Sequence, residues 1–133
     1  MPSLSSILLV DDDSTTNFLN QTLLKRMGTA QHVLVAENGA EALQLLHQTC
    51  VPPSASCPNL ILLDMKMPVM NGLEFLEAYT RLPLDQQKSI VIVMLTTSLL
   101  PQDLERVQLL PVAGVLNKPL TREKVEGLLQ QYF

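Results

Sequence analysis

The sequence predicts an α/β fold: a parallel five-stranded sheet covered by helices on both faces, a three-layer sandwich. Three observations carry that expectation. Short apolar runs alternate with stretches of helical spacing five times over. The first, third and fourth runs, residues 6–10, 59–63 and 90–95, are continuously apolar in character rather than alternating, as strands covered on both faces must be. Acids, hydroxyls and a lysine recur just after these runs, and in such sheets chemistry collects at the C-terminal strand ends.

In chain order, the first strand is Ser6-Ile7-Leu8-Leu9-Val10, followed by a helix from about Ser14 to Met27 that carries Phe18, Leu19, Thr22, Leu23 and Arg26 and stops at Gly28. His32-Val33-Leu34-Val35-Ala36 is the second strand. Asn38 caps the next helix, with Glu41 three residues on in a box-like start and Ala42, Leu43, Leu45 and Leu46 along it. Residues 50–58, rich in Pro and Ser, read as a long loop. Residues 59–63 form the third strand, and a helix with Leu73, Phe75, Leu76 and Tyr79 ends before Pro83. Residues 90–95 are the fourth strand. The fourth helix opens at Pro101, a good first-turn residue, and runs to about Leu110 before Pro111. Gly114-Val115-Leu116 is the fifth strand, and Thr121 caps a last helix that turns Val125, Leu128, Leu129 and Tyr132 inward. Parallel strands need crossover connections, and those are right-handed.

The 133 residues are expected to make one domain spanning 1–133. The longest apolar run has six residues, too few to span a membrane, and the N-terminus lacks the basic start and apolar stretch of a secretory signal. A net charge of −4 without clustered Lys or Arg argues against a nucleic-acid partner. Cys50 and Cys57, with no export signal and no further Cys or His at ligand spacing, are expected to be free thiols of a cytoplasmic protein. His32 opens a strand and His47 reads as a solvated helix residue.

The strand ends carry the chemistry. Asp11, Asp12 and Asp13 follow the first strand, Asp64 the third, Thr96 and Thr97 the fourth, and Lys118-Pro119 the fifth. Carboxylates brought together repel unless a cation neutralises them, and Mg²⁺ suits one or two carboxylates plus waters and phosphate oxygens. One of the three acids, Asp13, has a simpler role as helix cap. An aspartate that closes a buried strand beside a metal and a lysine reads as a nucleophile taking a phosphoryl group as an acyl phosphate. Lys118 and the Thr96 hydroxyl are suited to the phosphoryl oxygens.

With these residues the chain resembles the receiver domain of two-component response regulators, over essentially its whole length. The matching stretches are residues 7–13, 36–43, 63–72, 94–97 and Lys118-Pro119, with 64–72 the most specific. The resemblance implies a flavodoxin-like doubly wound fold with strand order 2-1-3-4-5 and a cis Lys118-Pro119 bond. It implies that Asp64 is the phosphoacceptor, Asp12 the principal Mg²⁺ ligand with Asp11 beside it, Lys66 a metal ligand through its backbone carbonyl, Thr96 the switch hydroxyl and Lys118 the phosphate-pairing lysine. A histidine kinase or histidine phosphotransfer protein would donate the phosphoryl group, and the domain would catalyse the transfer and later its slow hydrolysis. The chain ends with the last helix at Tyr132-Phe133, so a stand-alone receiver with no output domain is expected. It would signal to a protein target through the face of fourth helix, fifth strand and fifth helix, where Leu99, Leu100, Leu109, Leu110, Val112 and Val115 are concentrated.

The chain departs from the family pattern at three places. Val115 stands where a switch aromatic is usual, Thr97 where Ala or Gly is common, and Lys66 and Ser98 flank the site at positions that tune water access. Two other readings compete. Asp11-Asp12-Asp13-Ser14-Thr15 fits the Asp-x-Asp-x-Thr motif of haloacid-dehalogenase-like phosphatases, but only Glu123 and Glu126 follow Lys118, both in a helix, and Asp64 is left without a role. A phosphorylation-independent pseudo-receiver is supported by Val115 alone.

Overall fold

Leu8 and Val10 bury toward one helix layer while Ile7 and Leu9 bury toward the other, so a single strand supplies two cores. That is the consequence of continuous apolar runs in a sheet covered on both faces. The computed structural model describes residues 4–51, 54–82, 90–97 and 101–133. The elements are β1 (Leu4–Val10), α1 (Ser14–Met27), β2 (Ala30–Ala36), α2 (Gly39–Cys50), β3 (Leu60–Leu63), α3 (Gly72–Tyr79), β4 (Val91–Thr96), α4 (Pro101–Gln108), β5 (Gly114–Asn117) and α5 (Arg122–Tyr132). All strand pairs are parallel in the order β2-β1-β3-β4-β5, a flavodoxin-like sheet.

Leu46, Phe75, Leu76, Tyr79 and Val107 from α2, α3 and α4 pack on one face of the sheet. Leu24 of α1 and Val125, Leu128 and Leu129 of α5 pack on the other. The strands in register bring Val10 beside Ala36 and Leu63, and Thr96 beside Asn117, so the residues that follow them emerge at one edge.

Several local expectations hold. Asp13 caps α1, its carboxylate accepting the Thr15 N–H at 3.0 Å, and Gly28 ends the helix in the left-handed conformation. Asn38 caps α2 by accepting the Glu41 N–H, and Thr121 caps α5. Beyond those expectations, a full reciprocal box, Asn71 with Glu74, opens α3. Tyr132 turns inward, its hydroxyl donating to the Ala113 carbonyl at 2.9 Å.

Two expectations, both about the cysteines, need correction, and polar residues set the packing of α1. The buried face of α1 is Asn17, Asn20 and Leu24, whereas Phe18 and Leu19 are 66% and 59% exposed. The reason is polar: the Asn17 amide donates to the Asp11 carbonyl at 2.8 Å, which turns that side of the helix to the sheet. Cys50 and Cys57 are not free thiols but form a disulfide. Cys50 is also the last residue of α2 rather than part of a loop, and the helix end brings the two Cα atoms to 4.9 Å. Ser98, Leu99, Leu100 and Pro83 lie outside the described residues. Of the remaining apolar positions expected near the fourth helix and fifth strand, Leu110 and Val112 pack against the core, while Leu109 is 88% and Val115 39% exposed.

Candidate functional site

β1 and β3 are neighbours, so Asp11 and Asp64 leave the sheet side by side, and the pairing continues past Val10 where the Asp64 N–H donates to the Val10 carbonyl at 2.8 Å. Asp11 is tied the other way, its N–H donating to Ala36 of β2. One Asp11 carboxylate oxygen accepts the Asp13 N–H at 2.9 Å, leaving the second for a cation. That cation is Lys118, arriving from the end of β5: its ammonium donates to Asp11 Oδ2 at 2.7 Å and lies 3.2 Å from Asp64 Oδ1. The Lys118 N–H donates to the Thr96 carbonyl at 2.9 Å, and the Lys118-Pro119 bond is cis as expected. Thr96 itself is buried at the end of β4.

Asp11, Asp12 and Asp64 each offer a carboxylate oxygen within 4.8 Å of the others; Asp11 and Asp64 are buried and Asp12 is exposed. Burial pushes the Asp64 carboxyl above its ordinary 3.8, the Asp11 charge pushes it further, and Lys118 offsets only part of this. Burial draws the Lys118 ammonium down, but the Asp11 and Asp64 carboxylates outweigh it and hold its pKa above the usual lysine value. Asp13 behaves differently: hydrogen bonds from the Thr16 hydroxyl and the Thr15 N–H lower its pKa, as suits a cap. A single lysine therefore serves two buried carboxylates, and the cluster remains short of positive charge. Three hard oxygen donors, one facing solvent, fit a divalent cation of the Mg²⁺ type.

The loop from β3 to α3 holds this arrangement. Gly72 donates its N–H to the Met65 carbonyl at 2.9 Å, and a Cβ there would meet the Asp64 carbonyl oxygen at 2.6 Å. Gly39 donates to the Met70 carbonyl and leaves room for the Met70 side chain. Between these two close approaches Val69 takes φ 66°, a left-handed conformation that a β-branched residue rarely adopts. Outside the acids opens a hollow of about 520 Å³ lined by Asp12, Met65, Lys66, Met67, Asn71, Leu73 and Arg106. Lys66 thus lines the hollow beside Asp12. Thr97 is exposed beside Thr96.

Two residues at the site had no separate signal in the sequence reading. Asn17 is buried and clamps the Asp11 backbone, and its position four residues after the capping Asp13 is the clue that was available. Arg106 comes from α4, and nothing local in the chain points it to the hollow.

A family model described as response regulator receiver domain matches residues 7–130. The probable methanogenesis regulatory protein FilR2 of Methanothrix harundinacea is 30% identical over 127 residues, covering 94% of this chain and 79% of that protein. A two-component response regulator from Cytophaga hutchinsonii superposes with a TM-score of 0.85 at 25% identity, covering 98% of this chain and 97% of that one. The chemotaxis protein CheY4 of Vibrio cholerae gives 0.79 at 28% identity over 98% of this chain and all of that one.

Proposed function

Because this chain belongs to the response regulator receiver family of two-component systems, we propose that it is a phosphoryl-accepting switch in which Asp64 is the phosphoacceptor. The observation that carries this reading is Lys118 held between Asp11 and Asp64, with Asp12 within reach of both acids. In the transfer, an Asp64 carboxylate oxygen attacks phosphorus. The bond from phosphorus to the donor's leaving group breaks, and the electron pair leaves with that group, an imidazole nitrogen when the donor is a phosphohistidine. Lys118 balances charge on the phosphoryl oxygens, and the Thr96 hydroxyl donates to one of them. Asp11, Asp12, Asp64 and the Lys66 backbone carbonyl would hold Mg²⁺, which supplies Lewis-acid neutralisation of the transferring group.

The donor in this reading is a histidine kinase or a histidine phosphotransfer protein, and the domain itself catalyses both uptake and later hydrolysis. The output is a protein target met on the α4-β5-α5 face. With Val115 in place of an aromatic, there is no ring to follow Thr96 inward, so the signal is carried differently. We propose that this occurs in the cytoplasm. Among the described residues no helix is long and apolar enough to cross a membrane.

The test is intact-mass spectrometry after incubation with acetyl phosphate, for wild type and Asp64→Asn, with Mg²⁺ and with chelator. One phosphoryl adduct in wild type with metal, and none in the variant or with chelator, is the expected result. Equal uptake by the variant, or uptake independent of metal, would overturn the assignment. Asp12→Ala is expected to weaken Mg²⁺ binding at least tenfold; unchanged affinity would move the ligand set elsewhere.

A further inference from the structure

Arg106 lies on α4, outside the acidic crevice, yet it lines the same 520 Å³ hollow as Asp12 and Lys66. Its guanidinium is already engaged, donating to Glu77 Oε1 of α3 at 2.6 Å. Both side chains of that pair are about half exposed, so the pair is weak and costs little to open. The pair also borders a second hollow, about 190 Å³, formed with Leu109 and Leu110, so the arginine lines open space on two hollows. The chain carries a net charge of −4, and a phosphodonor is an anion, so cations beside the crevice favour its approach locally. Lys66 and Arg106 are such cations at the mouth of the crevice.

Resting on the phosphoryl-acceptor reading above, we infer that Arg106 is a specificity-determining residue for small anionic phosphodonors. It leaves Glu77 to hold the donor's phosphoryl oxygens in the hollow, and Glu77 restrains it by competing for the guanidinium. The class of ligand is a small acyl phosphate dianion. The chemical step is unchanged: Asp64 attacks phosphorus, and the carboxylate leaving group departs with the electron pair. Arg106 acts earlier, by gathering and orienting the donor, and its planar fork suits a phosphoryl group better than a lysine would.

Glu77→Gln and Arg106→Gln break the same ion pair, which separates the two possible roles. If Arg106 acts on the donor, the variants move the initial rate of adduct formation with acetyl phosphate in opposite directions. Arg106→Gln is then about threefold to tenfold slower, Glu77→Gln about twofold faster, and the wild-type rate falls with added salt more steeply than that of Arg106→Gln. Arg106→Lys recovers part of the loss. If the pair only braces α3 against α4, both variants change the rate in the same direction or leave it alone, with parallel salt dependence, and the inference is overturned. Wild type that takes up no phosphoryl group from acetyl phosphate overturns the phosphoryl-acceptor reading, and this inference with it.

Discussion

β3 is four residues long, and its two ends are built to opposite purposes. At the entry, Cys57 is bonded to Cys50 at the end of α2, and the Asn59 side chain accepts the N–H groups of Ser5 and Ser6 at 2.9 and 3.2 Å. No charged side chain takes part in these contacts, and the Asn59 side-chain carbonyl oxygen is shared by two backbone donors. At the exit, Asp64 is buried against Asp11, Val69 sits at φ 66°, and Gly72 presses on the Asp64 carbonyl. The two ends are joined by Leu60, Ile61, Leu62 and Leu63, all buried. The lesson is that the entry stabilises the strand and the exit spends part of that stability holding carboxylates where a phosphoryl group can reach them.

The contrast breaks most visibly at Gly72. Gly72→Ala sets a Cβ against backbone, which cannot move aside as a side chain can, and is expected to cost about 3 kcal/mol and disturb the crevice. Urea unfolding measures the first and phosphoryl uptake the second. A neutral result would show the β3–α3 loop to be looser than the close approach implies.

At the entry, Cys57→Ser, or reduction of the bridge, releases a loop with a sequence separation of 7. Chain-entropy arguments give about 2 kcal/mol for a loop that short, a fall in Tm of about 6 °C. Phosphoryl uptake is expected to stay unchanged, because the bridge lies at the opposite end of β3 from Asp64. A loss of uptake equal to that of Asp64→Asn would erase the distinction between the two ends.

At the exit the sign reverses. Asp64 has its pKa raised on folding, so the folded state holds the proton more tightly than the unfolded chain. Stability is then fully present below the unfolded value near 3.8 and is lost as pH rises through the higher folded value. Asp64→Asn removes that loss and is expected to stabilise the metal-free protein by about 1 kcal/mol at neutral pH. The advantage shrinks toward pH 4, which chemical unfolding at several pH values measures. Destabilisation by Asp64→Asn at pH 7 would mean that Lys118 outweighs burial and the Asp11 charge. The smallest effect belongs to Val69→Gly, which relieves the positive φ and is expected to raise stability by about 0.5 kcal/mol.

The same contrast explains what was legible in the sequence. The strands were, because residues such as Leu60-Ile61-Leu62-Leu63 bury on both faces and leave an unbroken apolar run. Asp11, Asp12, Asp64, Thr96 and Lys118 were legible as a set, because parallel strands bring their C-terminal ends to one edge whatever the details of packing. The facing of α1 was not: the apolar Phe18 and Leu19 face solvent, while Asn17 turns inward and its amide donates to the Asp11 carbonyl. The disulfide was not either, since two cysteines in a Pro- and Ser-rich stretch carry no pairing signal and the geometry depends on where α2 ends. The Arg106–Glu77 pair joins residues 29 apart on two helices, a contact that no local pattern encodes.

The central claim is that Asp64, and no other residue, carries the phosphoryl group. Acyl phosphates are reduced by borohydride to the alcohol, which would convert Asp64 to homoserine. Peptide sequencing by mass spectrometry after acetyl phosphate, Mg²⁺ and borohydride is predicted to find homoserine at position 64 alone. Homoserine at position 11 or 12, or a phosphoryl group on His32 or His47, would contradict the account.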